Sequence, residues 1–296
     1  MPLSAAAQQV GDETFRFPIP DPSFEGGEGP RVCIDEGHRN FHTADGRYRS
    51  FADLLRQDGY VVEGYAGDFT REALSRCGLL VIANALAAQN DEDWSYPHPS
   101  AFSASEMSEL MRWVREGGRF LLFADHAPIA GAARDLGAVF GVVMIDAYVD
   151  GGPGPDVFRP ADRTLRDHPI RRGRASSEPV DSVTTFTGQA FLVTQGWEPL
   201  LIFGPQATGR ISLDQAFQGE SSRAGWPAFS VGGWVHGAAR VWDEGRVVFL
   251  GEAAMCSAQV AGPQRTPMGM NAPGANQNPQ FCLNVVRWLT GVIGAP

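Results

Sequence analysis

The chain of 296 residues carries a formal net charge of −10, and its 24 basic residues are all arginine. The absence of lysine excludes Schiff-base chemistry, lysine nucleophiles and a lysine-containing phosphate loop. The acidic balance and the scattered arginines argue against a nucleic-acid partner, and no apolar run approaches the roughly 20 residues that span a bilayer. We therefore predict neither a nucleic-acid partner nor a membrane span.

The first segment, residues 1–30, is rich in Pro and Gly and is predicted to be an extended arm lying on the domain. Its SAAAQQ run has the small-residue character of a signal-peptidase cleavage region. We expect a secreted or periplasmic protein. The alternative is that this run is a plain disordered tail, in which case the protein is cytoplasmic. Among the four cysteines, Cys256 and Cys282 are the pair we consider for a disulfide, and Cys33 is predicted to be a small core residue.

Residues 31–296 are predicted to form a single α/β domain, because apolar strand-type runs alternate with amphipathic helices. This β-α-β-α order implies a mostly parallel sheet with right-handed crossovers. From about residue 150 to 245, Gly- and Pro-rich loops separate short strand-like runs, which indicates a β-rich insertion or an extension of the sheet. The strand–helix pattern then resumes. The predicted strands are 31–35, 60–65, 79–86, 119–127 and 245–255, and the predicted helices are 48–59, 103–118, 129–141 and 278–291.

Three apolar strands end in ionisable residues, within VCIDEGH, LLFADH and VVFLGE. The carboxyl ends of parallel strands share one edge of a sheet, so we expect the side chains that follow them to meet at one crevice. Any one of them could equally be a helix cap or a satisfied hydrogen-bond partner. Together they favour a site, because a fold rarely gathers such groups without a role that offsets their desolvation. They are Asp35, Glu36, His38, Asp125, His126 and Glu252.

A divalent metal is one candidate occupant of this crevice. His38 and His42 are four residues apart and follow Asp35, and imidazole with carboxylate is a ligand set that zinc and similar ions accept. We take Asp35, His38 and His42 as candidate metal ligands, with general base and substrate hydrogen bonding as competing roles for the histidines. No HExxH, Walker, GxGxxG or GxSxG sequence occurs, so we expect no nucleotide cofactor and no serine nucleophile.

Four residues are candidate substrate-binding groups. Asn84 lies at the end of the apolar run LLVIANAL, and Trp94 belongs to an aromatic segment that could form a lid. Asn271 and Asn276 lie in a loop, residues 267–278, whose Asn, Gln and Gly content suits hydrogen bonding to a polar ligand. The alternative for this loop is an ordinary capped connection.

The run GGRFLLFADHAPIAGAARDLGAVFG, followed by DHPIRRGR, with DEGH near the start and a terminal LNVVRWLTG helix, resembles the class I glutamine amidotransferase-like superfamily. Within it, the chain looks like a bacterial family of unknown function related to the ThuA-like (trehalose utilisation) proteins. The resemblance covers roughly residues 31–295 and implies a flavodoxin-like, doubly wound sheet flanked by helices. Amidotransferases carry a cysteine at the tight turn after a central strand, and the matching turn here is Ala124-Asp125-His126-Ala127, so glutaminase chemistry should be absent. His126 matches a ThuA-like histidine, and that family's context is carbohydrate metabolism.

The sequence therefore predicts an exported hydrolase, with or without a metal such as zinc, that acts on a carbohydrate derivative, ester or amide. His126 would be the general base or a metal ligand, Asp125 its partner and Glu252 a second acid or base, with Glu36 as a further catalytic candidate. The alternative is a non-catalytic domain that binds a small molecule or carbohydrate in the same crevice. We also predict that His38, His126 and Glu252 surround one crevice. The oligomeric state is left open.

Overall fold

The structure, a computed structural model, describes residues 9–152, 154–211 and 225–294. Most of the predicted cleavage region SAAAQQ therefore lies outside the described residues. The helices are α1 Arg49–Gln57, α2 Arg71–Leu74, α3 Ala104–Arg115, α4 Ile129–Val139, α5 Pro169–Arg172 and α6 Asn278–Leu289. Among the helices in these described ranges, none has the length and apolar character needed to cross a membrane.

The strands are short and numerous, and many of them fall between residues 150 and 245. They are β1 Gln9–Gly11, β2 Arg31–Asp35, β3 Val61–Tyr65, β4 Leu79–Ala83, β5 Arg119–Phe123, β6 Val142–Met144, β7 Tyr148–Asp150, β8 Asp156–Phe158, β9 Val183–Thr185, β10 Phe191–Val193, β11 Glu198–Ile202, β12 Thr208–Arg210, β13 Ala228–Ser230, β14 Val235–Trp242, β15 Gly245–Leu250, β16 Ala258–Ala261 and β17 Thr266–Gly269.

Within the described residues, the largest sheet has nine strands in the order β3-β2-β4-β5-β15-β14-β10-β6, with β11 also paired to β14. Neighbours from β3 to β15 run parallel, and the remaining pairings are antiparallel. Smaller antiparallel sheets are formed by β1-β16-β17, β13-β12-β7 and β8-β9. The predicted α/β fold with a mostly parallel main sheet is confirmed, and extra antiparallel sheets accompany it.

Helices cover both faces of the parallel strands. Side chains alternate between the two faces of a strand, so Val32 and Ile34 of β2 join one core cluster and Cys33 joins the other. The first cluster includes buried residues of α1 and α6, and the second includes buried residues of α3 and α4. All five residues of β4 are buried, as expected for a strand covered on both faces.

The four cysteines, all within the described residues, form two disulfides, Cys33–Cys77 and Cys256–Cys282. The second is the pair considered from the sequence. The prediction that Cys33 is a plain core residue is wrong. Cys77 follows α2, and its Cα lies 5.7 Å from that of Cys33 in β2, so the disulfide joins this connection to the sheet.

Candidate functional site

Four neighbouring strands place a polar residue at the carboxyl edge of the sheet. The edge residues are Asp35 at the end of β2, Asn84 after β4, Asp125 after β5 and Glu252 after β15, and all four are buried. The Asp125 backbone N–H donates to Asn84 Oδ1 at 3.1 Å, and Asn84 adopts a left-handed backbone conformation with φ of 53°. The strand ends predicted from the sequence to share one edge therefore lie side by side.

Asp125 and His126 form a directly contacting pair. His126 Nδ1 lies 2.7 Å from the Ala127 carbonyl oxygen, which only accepts, so Nδ1 carries the proton and donates it. Nε2 is then the nitrogen with the free lone pair, and it lies 3.9 Å from Asp125 Oδ1. The Asp125 carboxylate also accepts the His126 backbone N–H at 2.9 Å. The pair therefore presents a basic nitrogen beside a carboxylate.

Glu252 is a second buried carboxyl group next to this pair. Its oxygens accept the backbone N–H groups of Phe186 at 3.1 Å and Met255 at 2.8 Å. Burial raises the pKa of Glu252 well above its ordinary value, and the charge of Asp125 raises it further. Burial also raises the pKa of Asp125. Two neighbouring buried carboxyl groups resist double ionisation, so we take Glu252, whose pKa is raised by burial and by the charge of Asp125, as the group that keeps a proton.

Aromatic rings surround the His126 imidazole. Tyr148 stacks on it with ring centroids 4.0 Å apart and planes 19° from parallel. Trp94 approaches it edge-on at 6.1 Å, and Phe41 in turn contacts Trp94 at 5.9 Å. The His126 side chain remains 15% exposed, so solvent reaches it. We call Asp125, His126, Glu252, Trp94 and Tyr148 together the His126 site.

His38 belongs to a different cluster. Its Nδ1 lies 3.0 Å from both oxygens of Asp35 and its Nε2 lies 3.0 Å from Glu106 Oε1, while its ring packs on Phe69 and Phe102. Burial lowers the pKa of His38, but its hydrogen bonds and the charges of the two carboxylates outweigh burial and leave the pKa raised. The prediction that His38 lines the same crevice as His126 is therefore not supported by its contacts. His38 clamps β2 to α3.

The candidate metal ligands do not form one set. Both His38 nitrogens are engaged by carboxylates, whereas His42 Nε2 lies 3.3 Å from the Gln259 amide nitrogen. No group of three or more His, Cys, Asp and Glu side chains in the described part of the chain has the geometry to hold a metal. The side chains of Asp35, His38 and His42 thus do not fit a shared ion, and we assign them none.

The remaining predicted residues have mixed placements. Glu36 accepts the Ala44 backbone N–H at 2.8 Å, so its carboxylate orders a loop. Asn271 donates to Asp12 and to the Gln259 carbonyl, which ties the N-terminal arm to β16, and Asn276 is exposed. Tyr148 was missed by the sequence analysis.

An open cavity of about 420 Å³ lies elsewhere, between α2 and α3. Glu106, Arg71 and Arg112 are among its lining residues, and the Asp125–His126 pair is not. Both of its arginines already have carboxylate partners, since Arg71 pairs with Glu116 and Arg112 with Glu109. The candidate functional site is therefore defined by the chemistry of its side chains and not by this cavity.

Three buried histidines are expected to make the protein less stable in acid. Burial lowers the pKa of His42 to about 3 and the pKa values of His168 and His236 to about 4. His168 Nδ1 accepts the Ile170 N–H, so that nitrogen carries no proton. Because unfolded histidines bind protons below about pH 6.5, each such group lowers the free energy of unfolding by up to about 1.4 kcal/mol per pH unit towards acid. The raised pKa values of His38 and of the buried carboxyl groups of Asp125, Asp156 and Glu252 act in the opposite direction.

Urea unfolding at about pH 7.5 and about pH 5 measures the effect of one such group when the wild-type protein is compared with His236→Phe. His236→Phe removes one of the three histidines, so its free energy of unfolding should fall less, or rise more, from about pH 7.5 to about pH 5 than that of the wild-type protein. The same change with pH in both proteins would contradict the assignment of His236 as neutral.

No family model matches the chain, and no curated protein matches it. Among solved structures, the N-terminal domain named mmIFT52 superposes with a TM-score of 0.59 at 15% sequence identity, over 88% of this chain and 97% of that one. The cytoplasmic protein STM3548 from Salmonella typhimurium has a TM-score of 0.50 at 11% identity, over 88% of this chain and 99% of that one.

A ThuA-like protein from Bacteroides uniformis is also similar, with a TM-score of 0.48 at 13% identity, over 93% of this chain and 94% of that one. A similarity this distant carries no conclusion about family or activity. The two stronger similarities show a shared fold alone. Function must therefore be inferred from the His126 site.

Proposed function

We propose that this protein is a hydrolase whose general base is His126 Nε2, acting on an ester, an amide or a carbohydrate derivative. The observation that carries the proposal is the Asp125–His126 pair at the carboxyl edge of the sheet. In the neutral imidazole, the hydrogen bond from Nδ1 to the Ala127 carbonyl leaves the free lone pair on Nε2, and Asp125 Oδ1 lies 3.9 Å from this nitrogen. An imidazole arranged in this way suits proton abstraction from water.

In the proposed reaction, His126 Nε2 takes a proton from water as the water oxygen attacks the substrate's electrophilic carbon. The Asp125 carboxylate stabilises the imidazolium that forms, and the imidazolium returns the proton to the leaving group as the bond to carbon breaks. Because Glu252 retains its proton, the negative charge of the buried pair rests on Asp125, where it favours this step. Glu252 also orders the backbone at Phe186 and Met255.

The proposal extends to the cellular compartment of the protein and to the class of its α/β fold. Two disulfides favour a secreted or periplasmic protein, because disulfides persist in oxidising compartments. Helices on both faces of a parallel sheet in the order β3-β2-β4-β5-β15 favour the doubly wound, flavodoxin-like class and a relation to ThuA-like proteins. The partner we propose is a small molecule and not a nucleic acid.

A non-catalytic binding domain is the second candidate. Trp94 and Tyr148 flank the imidazole, and aromatic side chains with a few polar groups are typical of small-molecule sites. In that case the same residues would hold a ligand without turning it over.

A panel of chromogenic esters, amides and glycosides tests the two candidates. The wild-type protein is compared with an Asp125→Asn/His126→Ala double variant, which controls for contaminating activities. The proposal expects turnover of at least one substrate class by the wild-type protein only. Turnover that is equal in both proteins, or absent while ligands from the panel raise the melting temperature of the wild-type protein alone, would reject the hydrolase in favour of the binding domain.

A further inference from the structure

The loop that carries Trp94 contains a buried histidine with two polar contacts. This loop, residues 91–102, leads from the 3₁₀ turn Ala88–Asn90 to α3, and its first residues are exposed, whereas His98 is buried. His98 Nε2 lies 3.0 Å from the Trp94 carbonyl oxygen, and His98 Nδ1 lies 2.8 Å from Asp146 Oδ2. His98 thus joins Trp94 to a residue that is distant in the sequence.

Asp146 belongs to the segment that forms the opposite wall of the His126 site. Two residues further on, Tyr148 begins β7 and stacks on His126. Between them, the Ala147 carbonyl oxygen accepts the Ala127 backbone N–H at 3.1 Å, which fixes this segment against the turn that follows His126. The His98–Asp146 contact therefore connects the two aromatic walls of the site.

Neighbouring groups hold the His98–Asp146 pair tightly. The Tyr96 ring stacks on His98 at 4.1 Å, and its hydroxyl donates to the Asp146 carbonyl oxygen at 3.4 Å. Helix α4 leaves no space beside the pair, because a Cβ at Gly131 would lie 2.6 Å from His98 Cβ and 2.7 Å from Asp146 Oδ2. A pair packed this closely can transmit the position of one wall to the other.

Hydrogen bonds from Gln89 and Asn90 have a different role. Gln89 Nε2 donates to the Pro97 carbonyl oxygen, and Asn90 Nδ2 donates to the carbonyl oxygens of Asp93 and Ser95. These contacts join the loop to itself and to the turn before it. They maintain the shape of the loop, whereas the His98–Asp146 contact sets where it lies.

We propose that His98 and Asp146 are positioning residues that hold Trp94 against His126. The importance of this position rests on the function proposed for the His126 site, but the contact itself exists whether or not the protein is a hydrolase. His98 and Asp146 touch no reacting atom in this scheme. They act through Trp94, which covers one side of the imidazole and limits the shape of the ligand that reaches Nε2.

Fluorescence of Trp94 tests this proposal without a substrate. The Trp94 signal is the difference between each protein and the same protein with Trp94→Phe. Because a histidine in contact with an indole quenches its fluorescence, the wild-type signal should be lower than the signal of His126→Ala. We call this decrease the fall, and it is measured in each variant with and without His126→Ala. The proposal expects His98→Ala and Asp146→Ala to lose most of the fall while their far-ultraviolet circular dichroism stays unchanged.

Two further variants make the test specific. Asp146→Asn keeps an oxygen that can accept from His98 and should retain part of the fall. Gln89→Ala, in the turn before the same loop, removes a hydrogen bond that does not reach Asp146 and should retain all of it. The proposal would be overturned if folded His98→Ala showed the full fall. It would also be overturned if His126→Ala left the wild-type Trp94 signal unchanged. The result of this measurement does not depend on whether the protein has hydrolase activity.

Discussion

His126→Ala is expected to lower kcat by about 10²–10⁴-fold on any substrate found in the panel, because the variant lacks the group that accepts the proton from water. KM should change much less, since Trp94 and Tyr148 remain to contact the ligand. The protein should stay folded, because the His126 side chain is partly exposed and its main packing contact is one stacked ring. Steady-state kinetics and thermal melts on the same preparations measure both quantities.

His38→Ala is the matched control. It removes the same side chain type from the same edge of the sheet, but His38 is buried between Asp35 and Glu106. We expect a loss of about 1–3 kcal/mol in the free energy of unfolding, with normal kcat per folded molecule. Because the pKa of His38 is raised in the folded protein, the loss of stability in His38→Ala should be larger at acid pH than at a pH above that raised pKa. Normal kcat in His126→Ala would contradict the proposed base.

Arg287→Met is expected to lower the free energy of unfolding by about 3–5 kcal/mol, the largest stability effect we predict for a single substitution. Arg287 is 1% exposed in α6 and donates to Asp58 Oδ2 at 2.9 Å and Oδ1 at 2.6 Å. It also donates to Glu178 Oε1 at 2.8 Å. The methionine would fill much of the space, but it would leave two carboxylates without their buried cation.

Arg76→Met is the control for this prediction. Arg76 pairs with Glu72 four residues earlier at 3.0 Å, but the two side chains are 71% and 83% exposed. A pair this exposed is screened by water, so we expect no measurable change in stability. Urea unfolding of both variants measures the comparison. If Arg287→Met were as stable as Arg76→Met, the buried ion pairs would not hold α6 against α1 as the structure indicates.

Much of the parallel sheet could be predicted because its signals are local. The buried strand β4 is a continuous apolar run. Ser103 caps α3, because its side chain accepts the Glu106 backbone N–H and the Glu106 side chain accepts the Ser103 backbone N–H. The placement of Asp125 and Glu252 followed from a general rule, because parallel strands end at the same edge. These features depend on residues that are close in sequence or on the direction of the strands.

The rest depends on contacts between distant parts of the chain. Asp35, His38 and Glu36 are adjacent in sequence, but His38 turns to Glu106, which is 68 residues away, and Glu36 turns to Ala44. The prediction of a metal site here assumed that residues close together in the sequence bind the same ion. Tyr148 carries no signal of its own, since it reaches His126 only because β7 and the turn after β5 meet in the folded protein.

The central claim is that His126 presents an unprotonated Nε2 at the strand ends, and the ¹⁵N spectrum of histidine-labelled protein tests it most directly. The chain contains six histidines, and the His126 signals are identified by their loss in His126→Ala. At about pH 8 we expect His126 to carry its proton on Nδ1, which the Ala127 carbonyl oxygen accepts. A proton on Nε2 at that pH would contradict the account, because the nitrogen assigned as the base would then be a donor.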